Sequence, residues 1–475
     1  MAHDVSRSSG GALTSGLKSR QITMISIGGV IGAGLFVGSS AAIAEAGPGV
    51  LLSFLIAAVL VVLVMKMLAE MAIANPDTGS FSTYADRALG RWAGFSIGWL
   101  YWWFYVLAIP IEAIVAGKII GSVLAIPSWL PAFAVVVLLA GTNLLAVRSY
   151  GEFEYWFALL KVVAIVGFLA LGLAAILGLL PGSGASGLSG LWAHGGFLPN
   201  GGVSVLAGLL TAMFAFQGSE IVTIAAAESE DPKRNIRKAI GAVVWRLALF
   251  YIGSVFVVVA LVPWDAPELA AGTYQAALER MNIPGASAVM DLVVLVAVCS
   301  CLNSAIYTAS RMVFSLARRG EAPRVLGTIG ANGTPRAAVL ASTGIGVVAV
   351  VVSYAVPGLF TYMLASSGAI ALIMYLVIAA TQLATRRAMR ARGTESRLES
   401  RMWAFPHLTV LTMVAIAGIL LTMAILPGQR LELSVSLGLA AVLVVVGIVI
   451  QRRSPAVPVE PRVSAGTGLA RKGPR

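Results

Sequence analysis

The sequence predicts an all-α polytopic membrane protein with twelve transmembrane helices. Three observations carry that prediction. Of 475 residues, 58% are hydrophobic and 11% are charged, whereas soluble domains are about a quarter charged. The apolar residues fall in runs of about 20, the length that crosses a bilayer as helix. The basic residues, which give a net charge of +12, sit in short segments between those runs. They read as orientation signals, and the excess does not indicate nucleic acid.

The spans are expected at 22–44, 50–70, 94–119, 129–147, 155–180, 202–225, 240–262, 287–316, 337–356, 360–382, 405–426 and 432–451. The third and eighth are long enough to tilt or to extend past the lipid. An even count puts both termini on one side. Segments on that side hold 26 Lys and Arg, against Arg280 and Arg430 on the other, which places both termini in the cytoplasm. Residues 1–20 are a polar cytoplasmic segment, and no removable signal peptide is read. Residues 452–475, rich in Pro, Arg and Gly, are expected to form a disordered cytoplasmic tail. Three His and two Cys leave little for a metal site. Cys299 and Cys301, two apart on a helix, face different ways. No metal and no cofactor is expected.

Two spans are interrupted alike. The first carries Gly28-Gly29-Val30-Ile31-Gly32-Ala33-Gly34, the sixth Phe214-Ala215-Phe216-Gln217-Gly218-Ser219-Glu220. Each opens one half of a ten-span unit, repeat one at about 21–180 and repeat two at about 201–383, followed by two further helices at about 405–451. Gly weakens a helix, and unwinding frees backbone groups that lipid cannot satisfy but a polar substrate can. Taken singly, each Gly-rich segment is more simply a close-packing face. In register, the pair points to a transporter built from inverted repeats.

Intramembrane charges are functional candidates by default. Lys66 and Glu70, four apart, are expected to pair on one helix face. Arg246 and Arg311 are read as snorkelling from helix ends. Glu112, Lys161 and Glu220 resist such readings and are the candidates for proton coupling; an interhelical ion pair or a helix-end cap is the structural alternative. The aromatic run from Trp99 to Tyr105 reads as an interface belt, with a substrate vestibule as the alternative. No HExxH, Walker loop or Gly-x-Ser-x-Gly elbow makes the chain an enzyme or an ATP-driven pump.

The motifs Leu17-Lys-Ser-Arg20, Gly28-Gly-Val-Ile-Gly-Ala-Gly-Leu-Phe-Val-Gly38, Ala46-Gly-Pro48, Gly151-Glu-Phe-Glu-Tyr-Trp-Phe-Ala-Leu-Leu-Lys161 and Ser310-Arg-Met-Val-Phe-Ser-Leu-Ala-Arg-Arg-Gly320 resemble the bacterial amino acid transporter family of the amino acid–polyamine–organocation superfamily. The resemblance runs from about residue 16 to 450. Within the family, Asn75–Asp86, Ile97–Trp103, Ile221–Ser229 and Ser300–Arg311 are most similar to the 4-aminobutyrate (GABA) permeases. The resemblance implies the sodium-coupled leucine transporter fold, a 5+5 inverted repeat plus two helices, and proton-coupled amino acid import across the inner membrane. It implies backbone N–H groups of Gly32, Ala33 and Gly34 facing the substrate carboxylate, at a helix start whose dipole suits an anion. Amine-binding carbonyls would come from Val30, Phe214 and Gln217, with the Phe214 ring as a gate. Lys161 matches a Lys that replaces a sodium ion in some relatives, and Glu220 an acidic position beyond the second break. Ala33 stands where some relatives have Ser and offers only its backbone.

GABA separates its charged ends by three methylenes, so its amine contact must move outward, to Glu112 or to the span-6 carbonyls. The expected partners are a small amino acid, protons and the bilayer, with no nucleic acid and no obligate protein partner. Another substrate (proline, β-alanine or an aromatic amino acid) stays open at this point, as does a channel or a receptor that binds without transporting.

Overall fold

The computed structural model describes residues 19–453 except 29, 146, 181–186, 217, 228, 230, 271, 331, 357 and 426–429. The N-terminal residues to 18, the tail beyond 453 and Gln217 therefore lie outside the described residues. Among those described, the regular elements are helical. Lipid dictates this, because a helix satisfies its own backbone.

The first interrupted span is α1 (Ser19–Gly28), non-helical residues 30–32, a π-helical turn at Gly34–Gly38, and α2 (Ser39–Ala46). A corner at Gly47-Pro48-Gly49, with Gly47 at φ +59°, leads into α3 (Val50–Ala74). The short α4 (Ser80–Leu89) precedes the long α5 (Arg91–Leu124), followed by α6 (Trp129–Asn143) and α7 (Val147–Ile176). The order then recurs. A second interrupted span is α8 (Ser204–Phe216) and α9 (Ile221–Ala227). Next come α10 (Pro232–Arg246), a π-helical turn at Leu247–Ile252, and α11 (Gly253–Leu261). The short α12 (Thr273–Arg280) precedes the long α13 (Ala286–Arg318), then α14 (Arg336–Ala355) and α15 (Leu359–Ala391). The helices α16 (His407–Ile425) and α17 (Arg430–Arg453) close the chain. Each half thus has a broken span, a span, a short helix, a long span and two more.

Ten helices among the described residues are long and apolar enough to cross a membrane, two fewer than expected. The difference lies in two places. Gly34–Ala74 runs as one apolar helical stretch through the Gly47 corner, and α6 has only 15 residues, about 22 Å of helix. The expected long spans are present, α5 with 34 residues and α13 with 33. They pack along each other at the centre, and α5 also touches α4, α6, α14, α15 and α17.

Several charges lie differently from expectation. Glu70 does not pair with Lys66. Its Oε2 accepts from Arg386 Nη1 at 3.1 Å and from the Met402 N–H at 2.6 Å, and its Oε1 from Gln382 at 2.9 Å. Lys66 lies over the Trp403 ring, 5.5 Å from its centroid. A buried guanidinium with converging donors holds a carboxylate better than a flexible ammonium on the same helix. Arg246 and Arg311 do not snorkel; both are buried, and Arg311 stacks on Tyr307 at 4.1 Å. Packing of other helices around each guanidinium closes it off, and α10 starts at Pro232, ahead of the span expected from 240.

Candidate functional site

The two breaks meet beside α5 and α13. In the first, side chains from other parts of the fold take up the backbone groups freed at residues 30–33. Tyr251, in the second π-helical turn, donates its hydroxyl to the Val30 carbonyl at 3.1 Å. Lys161 of α7 donates to the Ile31 carbonyl at 3.1 Å. The Ala33 N–H donates to both oxygens of Glu112 of α5, at 3.0 and 3.3 Å. An unwound segment at membrane depth needs such partners.

Glycine is required at two of these positions. A Cβ on Gly34 would meet the Ala215 Cα of the second broken span at 2.6 Å, and one on Gly32 would meet Cys301 Sγ at 2.5 Å and Glu112 Oε1 at 2.7 Å. The first break is therefore both unwound and close-packed, so the two readings of its Gly-rich sequence both hold.

At the second break, residues 218–220 form a turn. Glu220 folds back on it, accepting from the Gly218 N–H at 3.2 Å and from the Tyr105 hydroxyl at 2.8 Å. Ser219 accepts from Arg246 Nη2 at 2.6 Å and donates to the Phe216 carbonyl at 3.0 Å. Lys161 is fully buried and also donates to Ser300 Oγ at 2.7 Å. Ser300 in turn donates to Glu154 Oε1 at 2.5 Å, and Lys161 Nζ stands 4.0 Å from that oxygen. Lys161 thus ties α7, the first break and α13 together.

A cavity of about 40 Å³ lies between the breaks. Val30 and Gly34 line one side, Phe214 and Gly218 another, and Phe104, Tyr105 and Glu112 of α5 a third. The Phe104 and Phe214 rings stand 6.4 Å apart. Two larger hollows, of about 290 and 330 Å³, lie away from both breaks. The small one is the candidate site, because the freed backbone groups and the buried charges converge there. It has room for about one water, so an amino acid enters only as the helices part.

The structure brings Val30, Ala33, Gly34, Phe214 and Glu112 together, with Gly32 packed against Glu112. Glu220 reaches the cavity through Tyr105, and Lys161 supports it from behind through Ile31. Glu112 sits on the N–H side of the first break, where the resemblance puts the substrate carboxylate. The aromatic run is not a simple belt, since Tyr101, Phe104 and Tyr105 are buried. Sequence reading misses Tyr251, Arg246, Ser300 and the role of Glu154. Glu154 has a signal: it lies seven residues before Lys161, two turns along the same helix face.

The amino acid permease family model matches residues 21–453. The chain belongs to the amino acid permease family. It is 55% identical over 444 residues to the "Gamma-aminobutyric acid permease" of Escherichia coli K12, covering 93% of this chain and 95% of that one. It is 56% identical over 448 residues to the "Probable GABA permease" of Pseudomonas aeruginosa, covering 94% of each. To the "Aromatic amino acid transport protein AroP" of Corynebacterium glutamicum it is 43% identical over 416 residues, 86% of this chain and 89% of that one. Among solved structures, a crystal structure of the Eremococcus coleocola manganese transporter superposes with a TM-score of 0.59 at 15% identity, covering 95% of this chain and all of that one. That likeness shows the fold alone, and it is the fold the resemblance implied. As a permease, this is a multi-pass membrane transporter of amino acids and not an enzyme.

Proposed function

We propose that this permease imports GABA with protons across the bacterial inner membrane by alternating access, with both termini cytoplasmic and twelve crossings. In this reading the interrupted span from α1 through α2 is the first crossing and α3, after the turn at Gly47, the second, while α6 is a short span. Repeat one covers about 21–180, repeat two about 201–383, and the added helices 405–451. One fact supports the substrate: extensive identity to proteins named for GABA.

The observation that carries the mechanism is the Glu112 carboxylate on the Ala33 N–H. Gly32, Ala33 and Gly34 are the proposed seat of the substrate carboxylate, so Glu112 and GABA compete for one donor set. GABA's carboxylate displaces Glu112, and a proton neutralises Glu112 as it leaves, since a bare buried charge without its donor is costly. Proton and substrate then enter together. The ammonium end extends toward the Phe214 carbonyl and the facing Phe104 and Phe214 rings, where cation–π attraction assists. The Val30 carbonyl, held by Tyr251, and that of Gln217 complete the proposed amine contacts. Lys161 and Glu220 remain the other proposed proton carriers. Loss of the Lys161 proton would weaken its hold on Ile31 and let the break move from α13.

Glu112→Gln tests this directly. GABA uptake should persist at reduced rate but lose its rise on external acidification. Unchanged affinity together with unchanged proton dependence would remove Glu112 from the role.

A further inference from the structure

We infer that the groove between α3 and α10 is a binding site for one anionic phospholipid, its phosphate held by Lys66 and Arg237. The groove has a volume of about 290 Å³ and is walled by apolar residues of both helices, among them Val62, Met65 and Val244. Ser400 and Trp403, on the segment between α15 and α16, close its mouth. On the membrane side of Lys66 and Arg237 its walls run about 6 Å along α3 to Val62 and about 10 Å along α10 to Val244, enough to seat the first carbons of an acyl chain.

The charge at the mouth decides the occupant. Glu70, the carboxylate one turn from Lys66, is engaged by Arg386. Lys66 lies instead over the face of Trp403, which is itself half exposed at 54%. Arg237 shares its carboxylate. Glu399 lies 2.7 Å from Arg237 and 3.0 Å from Lys233, so one negative charge faces two positive ones. Arg234 and Lys238, also exposed on α10, add to the field. A cationic mouth above an apolar slot, edged by the exposed indole of Trp403, matches a phosphodiester on acyl chains and matches neither half of that ligand alone. Basic residues at a membrane surface attract anionic lipid.

The site connects to transport through α10. That helix carries Arg237 at the groove and Arg246 at its other end, where Arg246 donates to Ser219 in the second break. Lipid seated between α3 and α10 therefore bears on the helix that holds the break. This link rests on the proposed site, whereas lipid binding itself does not, and the two are tested separately.

Native mass spectrometry of the delipidated, detergent-solubilised protein reads binding. Phosphatidylglycerol should give adducts at least several-fold more abundant than phosphatidylcholine of the same chains. Lys66→Gln with Arg237→Gln should remove that preference, while Arg324→Gln with Arg336→Gln, exposed and outside the groove lining, should keep it. Val244→Trp leaves every charge in place but fills the slot, and should also lower adduct formation. Glycerol phosphate and inorganic phosphate are the chain-free arms; binding of these as strong as that of the lipid would make the groove a free-phosphate site and overturn the inference. Equal adducts from both lipids, or an unchanged preference in both groove variants, would overturn it too. In vesicles, GABA uptake should rise with phosphatidylglycerol content in the wild type and not in the double groove variant. Loss of that response with binding intact would sever only the link to transport.

Discussion

Replacing Gly34 by Ala perturbs the point where the two broken spans touch. The added Cβ would stand 2.6 Å from the Ala215 Cα, against about 3.5–4.0 Å for carbons in contact. The obstructing atom is backbone, so no side chain can rotate away, and the spans must part by about 1 Å. Overpacking of this kind costs about 1–3 kcal/mol. At about 1.4 kcal/mol per decade, the closed arrangement becomes about 5- to 140-fold less populated. Gly38→Ala is the matched control: it lies one turn on, and its Cβ would meet only Thr211 Cγ2 at 3.5 Å and the Ala33 carbonyl at 3.7 Å, ordinary contacts. The assay pairs initial GABA uptake in proteoliposomes with thermal unfolding of the purified protein in detergent. Gly34→Ala should lower both, and Gly38→Ala should lower neither by a comparable amount. Equal behaviour of the two variants would refute the close approach of the breaks.

Three further outcomes are expected. Lys161→Met leaves the Ile31 carbonyl and Glu154 without their buried cation, so it should destabilise by about 3–5 kcal/mol and abolish uptake; a variant that melts and transports like wild type would contradict the tie. Tyr251→Phe removes one hydrogen bond to Val30, worth about 0.5–1.5 kcal/mol, and should change the GABA KM by more than it changes folding, as read by parallel uptake and melting curves. Hydrogen bonds from Arg390 and Arg386 hold the Glu395 carboxyl down at about 2, below the ~4.3 of an ordinary Glu. Its contribution is complete above that ordinary value and is lost as pH falls through the depressed one. Protection of amides in residues 395–403, corrected for the intrinsic exchange rate at each pH, should therefore hold above ~4.3 and fall progressively between that value and about 2; protection unchanged across that interval would contradict it.

The span pattern is legible because lipid leaves few options: apolar length, Gly interruptions and basic loops are each forced by the bilayer. The sequence pattern separates 22–44 from 50–70, whereas in the structure Gly34–Ala74 runs as one apolar helical stretch because the Gly47 corner keeps helical neighbours on both sides. At the site, Glu112, Lys161 and Glu220 stand out because isolated charges in apolar runs demand partners. Which partners they have depends on interhelical packing, and one sequence does not carry it. Tyr251 and Ser300 look like ordinary core residues until the break is brought against them. Arg246 reads as an interfacial residue because the apolar run around it begins only at 240, although the helix itself begins at Pro232. The Lys66–Glu70 pair fails for a related reason. Helical spacing shows which groups can meet, but Arg386, distant in sequence and buried beside Glu70, reaches that carboxylate instead.

Coupled entry of GABA and a proton is read most directly by uptake of labelled GABA into proteoliposomes with an imposed inward proton gradient. Unlabelled proline, β-alanine and phenylalanine serve as competitors, and a protonophore removes the gradient. GABA should accumulate above the external concentration, with the accumulation collapsing on protonophore and resisting phenylalanine. Uptake that never exceeds equilibration, or that ignores the protonophore, would contradict the coupling. Accumulation of another amino acid without GABA would contradict the substrate.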